Sequence, residues 1–387
     1  MFRASRALGP TPVNLYIRAM RPSRSPIAGL LLFTCMSSLV GCAGERYSTT
    51  DAGDLGSEAP LDAGIDLDSG PNDTSSATDL GPADTGPDVG ADVGLADAGP
   101  VDLGSMDAGP VDIGIVPREI TLGTAARPAT LITPDDYDGT PHPMIVLIHG
   151  LGSDSGNIAQ FFPLGYEVDD RDFFLLIPNG TQAADGTRFW DATDQCCNNN
   201  YTSTPVDDVG YITGLLDDVS GMFNIDPRRV YATGHSNGGF MSYRLACDVP
   251  ERFAAIAPLA GMEPRDATLC TPSEAVSVLH AHGTADEVIT YDGIVQDTVQ
   301  YYPPAEEVVE RWATRAGCTL GSRTQTGTLD LTTDVAGSET DAFAYGSGCQ
   351  AGIDVRLWKI NGASHVPALT DAFFEGVLDF LLSHQKP

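Results

Sequence analysis

The stretch of this chain best equipped for chemistry is Gly234-His235-Ser236-Asn237-Gly238-Gly239. It fits G-x-S-x-G, a pattern with meaning where a strand enters it and a helix leaves it. Glycines keep side chains out of a tight turn that holds Ser236 Oγ above a sheet. The following helix N-terminus faces the negative charge that develops during attack. A serine hydroxyl is a weak nucleophile without a base, and in this arrangement the acid and then the base follow it in sequence. His280, His282, His365 and His384 all follow Ser236. His365 stands in Asn361-Gly362-Ala363-Ser364-His365-Val366-Pro367, a loop between a strand and the last helix, where a base belongs. His384 is discounted as part of a disordered-looking tail. His280 and His282 lie on a strand run and read as structural, with His282 close enough to the loop to line the site, as His235 does. Asp286, in His282-Gly283-Thr284-Ala285-Asp286, is the expected acid, with its neighbour Glu287 as the rival. Its carboxylate would fix the His365 tautomer and stabilise the imidazolium.

An acyl-transfer site also needs two N–H donors for the oxyanion. The backbone of Asn237 is one candidate. Leu151, in His149-Gly150-Leu151-Gly152 after a buried strand, is the other. His149 is expected to shape that loop and not to move protons. Trp190 has two readings, a ring presented to a substrate or an aromatic packed beside the cysteine pair. No metal or organic cofactor is required by such a site.

The surrounding elements must carry these residues to one place. Pro143–His149 and Phe173–Pro178 are continuous apolar runs, as buried parallel strands require. Arg229–Thr233, Phe253–Ala260, Val276–His282 and Val355–Ile360 are further strand candidates. Helical patterns cover Val206–Phe223, Asn237–Cys247, Pro304–Ala316 and Thr370–His384. Alternation of this kind predicts an α/β protein, a mostly parallel central sheet with helices on both faces. Functional residues then belong at the carboxyl ends of the strands.

Charge divides the 387 residues into three parts. Residues 1–50 carry +5, residues 51–116 carry −15 with no Lys or Arg, and residues 117–387 carry −22. The total of −32 argues against a nucleic-acid partner. Arg21 and Arg24 precede an apolar run, Ile27–Val40, that reads as an export signal and is too short for a comfortable membrane span. The run ends in Leu39-Val40-Gly41-Cys42, which resembles a bacterial lipoprotein signal. Residues 1–41 would then be removed, with Met20 as a possible true start, and Cys42 would carry lipid. That implies an exported protein anchored to an outer membrane or cell surface, touching the membrane only through the lipid. An ordinary secretory signal is the alternative. Residues 42–116, rich in Asp, Gly and Pro, read as an extended spacer that cannot repay the entropy of folding. A calcium-ordered repeat is the alternative there. The folded domain is expected at 117–387 and is expected to be monomeric. Its cysteines, Cys196, Cys197, Cys247, Cys270, Cys318 and Cys349, suggest up to three disulfides in an exported chain. The expected pairs are Cys318 with Cys349, and one of the vicinal cysteines with a partner outside that pair. A zinc site is the weaker rival, because the Cys196-Cys197 spacing is wrong for ligand pairs.

Taken in order, several of these pieces resemble the secreted poly(3-hydroxybutyrate) depolymerases and the feruloyl or acetylxylan esterases of carbohydrate esterase family 1. They are Leu147-Ile148-His149-Gly150, Phe189-Trp190 with Cys196-Cys197, Val206-Asp207-Asp208-Val209-Gly210-Tyr211, and Asp226-Pro227-Arg228-Arg229-Val230-Tyr231. Gly234–Gly239, Arg244-Leu245-Ala246-Cys247, Phe253-Ala254-Ala255-Ile256-Ala257 and His282–Asp286 complete the set. The resemblance implies an α/β-hydrolase fold and a Ser236–Asp286–His365 triad. It also implies an ester substrate, either a hydroxyalkanoate polyester, a hydroxycinnamoyl ester or an acetylated polysaccharide. A catalytically inactive binding protein on the same fold is the reading of a different class. The chain departs from the family at Ser364-His365-Val366-Pro367, which lacks the aromatic residue that often follows the base.

Overall fold

The computed structural model describes residues 118–197, 201–296 and 299–387. The expected signal, Cys42 and the acidic spacer lie outside these residues. In chain order the strands are β1 (Glu119–Gly123), β2 (Pro128–Ile132), β3 (His142–Ile148), β4 (Phe174–Pro178), β5 (Thr181–Gln182) and β6 (Arg188–Phe189). They continue with β7 (Ile225–His235), β8 (Ala255–Leu259), β9 (Ser277–Gly283), β10 (Ile294–Gln296), β11 (Val299–Tyr302), β12 (Arg323–Leu329), β13 (Thr340–Tyr345) and β14 (Val355–Ile360). The α-helices are α1 (Ser155–Phe161), α2 (Val168–Arg171), α3 (Asp208–Met222), α4 (Asn237–Asp248), α5 (Ala305–Arg315) and α6 (Asp371–Leu382).

Ten strands form one sheet in the order β1-β2-β4-β3-β7-β8-β9-β14-β13-β12. The six from β4 to β14 run parallel. An antiparallel pair closes each edge, β2 with β1 and β13 with β12. From β3 the chain first moves outward to β4 and then returns to pair β7 on the other side. The strand order therefore reverses between β3 and β7, which opens a crevice at their carboxyl ends.

Alternation within the strands assigns their side chains to two cores. Met144, Val146 and Ile148 of β3 join Phe174 and Leu176 of β4 on one face, under α3, α4 and α5. Ile145 and Leu147 join Leu175 and Ile177 on the other, under α1 and α6. Every residue of β3, β4, β8 and β9 is buried. A strand covered on both faces reads as an unbroken apolar run, which explains why β3 and β4 were visible in sequence. The edge strands were not visible for the converse reason. In β12 the five residues between its ends, Thr324–Thr328, are exposed, and β1 alternates exposed with half-buried positions.

Two expectations are corrected. Cys196 and Cys197 are disulfide-bonded to each other, not to an outside partner. Both lie in a loop folded back on Thr193, and the other four cysteines satisfy one another. Cys247 pairs with Cys270, fastening the end of α4, and Cys318 pairs with Cys349 as expected. The C-terminal tail is also built into the fold. His384 is buried, its Nδ1–H donates to Phe380 O, and its own carbonyl accepts the Tyr231 hydroxyl at 2.6 Å.

Candidate active site

The turn from β7 into α4 is closed by contacts between backbone atoms. A Cβ added to Gly238 would lie 2.1 Å from Ile148 O, and one added to Gly234 would lie 2.5 Å from the same oxygen. No side chain fits at either position. Gly239 approaches Gly261 in the same way, a Cβ there lying 2.9 Å from the Gly261 Cα. The turn forces Ser236 to φ 55°, ψ −123°, a left-handed conformation that costs of order 1–3 kcal/mol for a residue with a side chain. It is held by the Ser236 N–H donating to Leu259 O of β8 at 2.9 Å. In return, Ser236 Oγ points out of the strand end and Asn237 opens α4 with an N–H that has no partner within the helix.

Asp286 and His365 arrive from two neighbouring parallel strands, β9 and β14, whose C-terminal loops are fastened together. A Cβ on Gly283 would lie 2.3 Å from Ala363 O, so glycine permits this approach. Thr284 N–H donates to Ile360 O at 2.9 Å and Ala285 N–H to Ala363 O at 3.0 Å. Gly362 N–H donates to Thr284 Oγ1 at 2.8 Å. The outcome is a continuous chain. His365 Nδ1–H donates to Asp286 Oδ2 at 2.7 Å, and Ser236 Oγ–H donates to His365 Nε2 at 2.9 Å. The Asp286 side chain is fully buried, while its rival Glu287 is exposed. Asp286 Oδ1 accepts the N–H groups of Val288 and Ile289 at 2.8 Å each. Burial alone would push this carboxyl up, but hydrogen bonds from His282 and His365 outweigh it and hold it well below the usual range.

Leu151 and Gly152 belong to the loop after β3, on the other side of the crevice. Gly152 N–H donates to Arg188 O at 2.8 Å, which ties the loop to the β5–β6 ribbon. His149 is buried and acts as a bracket, with Nδ1–H donating to Gly150 O at 2.7 Å and Nε2 accepting Gly180 N–H at 2.9 Å. Burial lowers its pKa to about 4, so the ring stays neutral. The Asn237 side chain clamps the next residues of the ribbon. Its Oδ1 accepts Trp190 N–H at 2.8 Å, and its Nδ2 donates to Trp190 O at 2.9 Å and Cys196 Sγ at 3.4 Å. One segment, Arg188–Cys197, thus touches both of the elements expected to supply oxyanion donors.

Three residues expected to line a substrate lie elsewhere. Trp190 is fully buried, its Nε1–H donating to His149 O at 2.9 Å, so the packed reading is the one the structure supports. His235 is 8% exposed and its Nε2–H donates to His365 O at 2.7 Å, so it fixes the backbone of His365. Burial, with His365 adding to it, lowers the His235 pKa to about 4. His282 is buried behind Asp286, with Nε2 3.4 Å from Oδ2. His235 and His282 were read as facing the crevice, whereas each ring faces the loop it supports. Arg127 and Asp208 were missed. Arg127 pairs with buried Asp208 and lies 3.7 Å over the Tyr211 ring, and Asp208 Oδ2 accepts Asp191 N–H next to Trp190. The acidic pair before Tyr211 was the only available signal for this cluster.

A parallel sheet with its crevice at the β3–β7 reversal, a serine on the strand–helix turn, and an aspartate and histidine from later strands define the α/β-hydrolase class. The chain belongs to the esterase family, whose model, described as "Putative esterase", matches residues 125–319. It is 30% identical over 177 residues to feruloyl esterase B of Piromyces equi, covering 44% of this chain and 30% of that protein. It is 28% identical over 200 residues to a probable feruloyl esterase C of Aspergillus niger, covering 50% of this chain and 63% of that protein. The match therefore spans less than two thirds of either relative. Among solved structures, acetyl xylan esterase from Aspergillus awamori superposes with a TM-score of 0.49 at 14% identity, covering 66% of this chain and 98% of that one.

Four histidines held neutral by burial, His149, His235, His280 and His384, have their pKa values lowered in the folded state. The unfolded chain binds protons at these rings from about pH 6.5 downward and the folded chain does not. Stability is therefore complete above pH 6.5 and falls as pH drops toward 5. Thermal unfolding between pH 7.5 and 5.0 should show a falling Tm. A flat or rising Tm across this window would contradict the neutral assignment.

Proposed function

We propose that the chain is an exported serine carboxylic-ester hydrolase in which Ser236 is the nucleophile, His365 the base and Asp286 the acid. The observation that carries this reading is the unbroken hydrogen-bond chain from Ser236 Oγ through His365 to Asp286 at the end of a strained turn. Neutral His365 has its proton on Nδ1, facing Asp286, and a lone pair on Nε2, facing the serine. Attack of Oγ on the ester carbonyl passes the serine proton to Nε2. The imidazolium is then stabilised by Asp286. The Leu151 and Asn237 N–H groups receive the oxyanion. Collapse breaks the ester C–O bond, and Nε2–H protonates the leaving alcohol. Water activated by the same nitrogen then releases the acid from Ser236.

The substrate we favour is a hydroxycinnamoyl ester or a hydroxyalkanoate polyester, with an acetylated polysaccharide as the second reading. Leu151, Val288 and Val366 are 40%, 58% and 59% exposed, and each stands within two residues of a proposed site residue or is one itself. Apolar side chains left open at this place favour an ester with an apolar acyl or alcohol part. The relatives named as feruloyl esterases support the first choice. Three disulfides suit an oxidising compartment. In the proposed organisation residues 117–387 are the enzyme, residues 42–116 a spacer and Cys42 the lipid anchor. Labelling cells with palmitate should mark the chain and fail with Cys42→Ala. Equal labelling of both would rule that anchor out.

Ser236→Ala removes the attacking oxygen while keeping the turn. Hydrolysis of a short p-nitrophenyl ester should fall by about 10⁴-fold or more in kcat, with Tm essentially unchanged. Turnover at the wild-type rate would refute the mechanism. Methyl ferulate, hydroxybutyrate oligomers and acetylated xylan, compared by kcat/KM, then rank the substrates.

A further inference from the structure

Behind Asp286 the chain of hydrogen bonds does not stop. His282 Nε2 lies 2.7 Å from Ile289 O and 3.4 Å from Asp286 Oδ2. His282 Nδ1 lies 3.2 Å from His280 Nε2, and His280 Nδ1 lies 2.7 Å from the Tyr243 hydroxyl. All three side chains are fully buried. Tyr243 comes from α4, the helix that begins at Ser236, and the two histidines alternate with Ala281 along β9. The series thus leaves the nucleophile's helix, crosses the sheet end and returns to the acid.

Donor and acceptor rules fix its direction. Ile289 O can only accept, so His282 Nε2 carries a hydrogen, shared toward Asp286. With His282 neutral, its Nδ1 is a lone pair and accepts from His280 Nε2–H. His280 Nδ1 is then a lone pair and accepts from Tyr243 O–H. Every ring nitrogen is satisfied and no buried charge is created. Burial holds the His280 ring well below its ordinary pKa and raises the Tyr243 phenol, in keeping with two neutral groups.

We propose that Tyr243, His280 and His282 form a buried hydrogen-bond series, with both imidazoles as Nε2–H tautomers, that positions the Asp286 carboxylate for His365. His282 is thus a positioning residue, one step removed from the reacting atoms. This rests on the reading of Asp286 as the acid. Its N–H and the two backbone N–H groups of Val288 and Ile289 together fix the carboxylate, leaving Oδ2 aimed at His365 Nδ1. Other polar groups facing the series leave this arrangement intact. The Tyr291 ring meets His282 edge-on at 5.7 Å, and Lys359 Nζ lies 5.2 Å over Tyr291. The Tyr302 hydroxyl accepts Thr290 N–H. His235 is committed to His365 O. Glu263, near Tyr243, is paired with Arg311 and Arg315.

The test combines kinetics with histidine ¹⁵N NMR. Removing the His282 N–H leaves Asp286 a stronger proton acceptor and less well aimed. His282→Ala should lower kcat by about tenfold with KM changed less than about twofold. It should also move the acidic limb of kcat/KM upward by about half a pH unit or more. His282→Gln, whose amide N–H can stand near the Nε2 position, should recover activity to within about threefold of wild type. Tyr243→Phe should move the limb the same way by less. In the wild-type protein both rings should show Nε2–H tautomers at pH 8, and His280 should not titrate between pH 8 and 5.5. This spectrum needs no substrate, so it holds even if the serine reading fails, a failure that Ser236→Ala reports separately. An unmoved acidic limb in foldable His282 and Tyr243 variants would overturn the proposal. So would an Nδ1–H tautomer at either histidine, or a protonated His280 ring.

Discussion

The site depends first on the absence of side chains where β3, β7 and α4 meet. Ile148 O occupies the space that a Cβ on Gly234 or Gly238 would need. Because backbone packs on backbone there, β7 can turn into α4 within one residue, and that residue, Ser236, is left in a left-handed conformation with its hydroxyl outward. Conformational cost at Ser236 is offset by the dense parallel core on both faces of the strands that feed the turn. The same close approach brings the loop after β3 against the turn, where a Cβ on Gly150 would lie 3.4 Å from His235 O and 3.5 Å from the Ser236 Cβ.

A second close contact sets the other half of the site. Gly283 against Ala363 O draws the loops of β9 and β14 together. Parallel neighbours end on the same side of a sheet, so two residues 79 positions apart in sequence are bonded at 2.7 Å. His235 then links the halves, being next to Ser236 in sequence and bonded to the backbone of His365. The rings of His149, His235 and His282 therefore act through hydrogen bonds to loops, each with one ring nitrogen committed to a backbone carbonyl. Neutral, buried imidazoles suit that task because they supply a donor without the desolvation cost of a charge.

Much of this was legible in the sequence because the features concerned obey local rules. Runs such as Met144–Ile148 and Phe174–Pro178 announce buried strands, and the glycines around Ser236 announce a turn with no room. Asp286 and His365 were found from their order and from the loops they occupy. What stayed hidden depends on three-dimensional neighbours. The polar strand Arg323–Leu329 carries no apolar pattern, since it lies at an edge and needs none. Trp190, His235 and His282 were placed near the site, but periodicity does not say whether a ring faces the crevice or the loop behind it. The pairing of Cys196 with Cys197 depended on which other cysteines the fold brings together, and Cys247 with Cys270 meet only after α4 has packed.

The proposed mechanism requires that Ser236 Oγ is the atom acylated. Reaction of the intact protein with a fluorophosphonate, followed by digestion and mass spectrometry of the peptides, addresses that claim directly. A single adduct on Ser236 is expected, strongly slowed by His365→Ala. An adduct confined to another serine, or none in protein that hydrolyses esters, would contradict it.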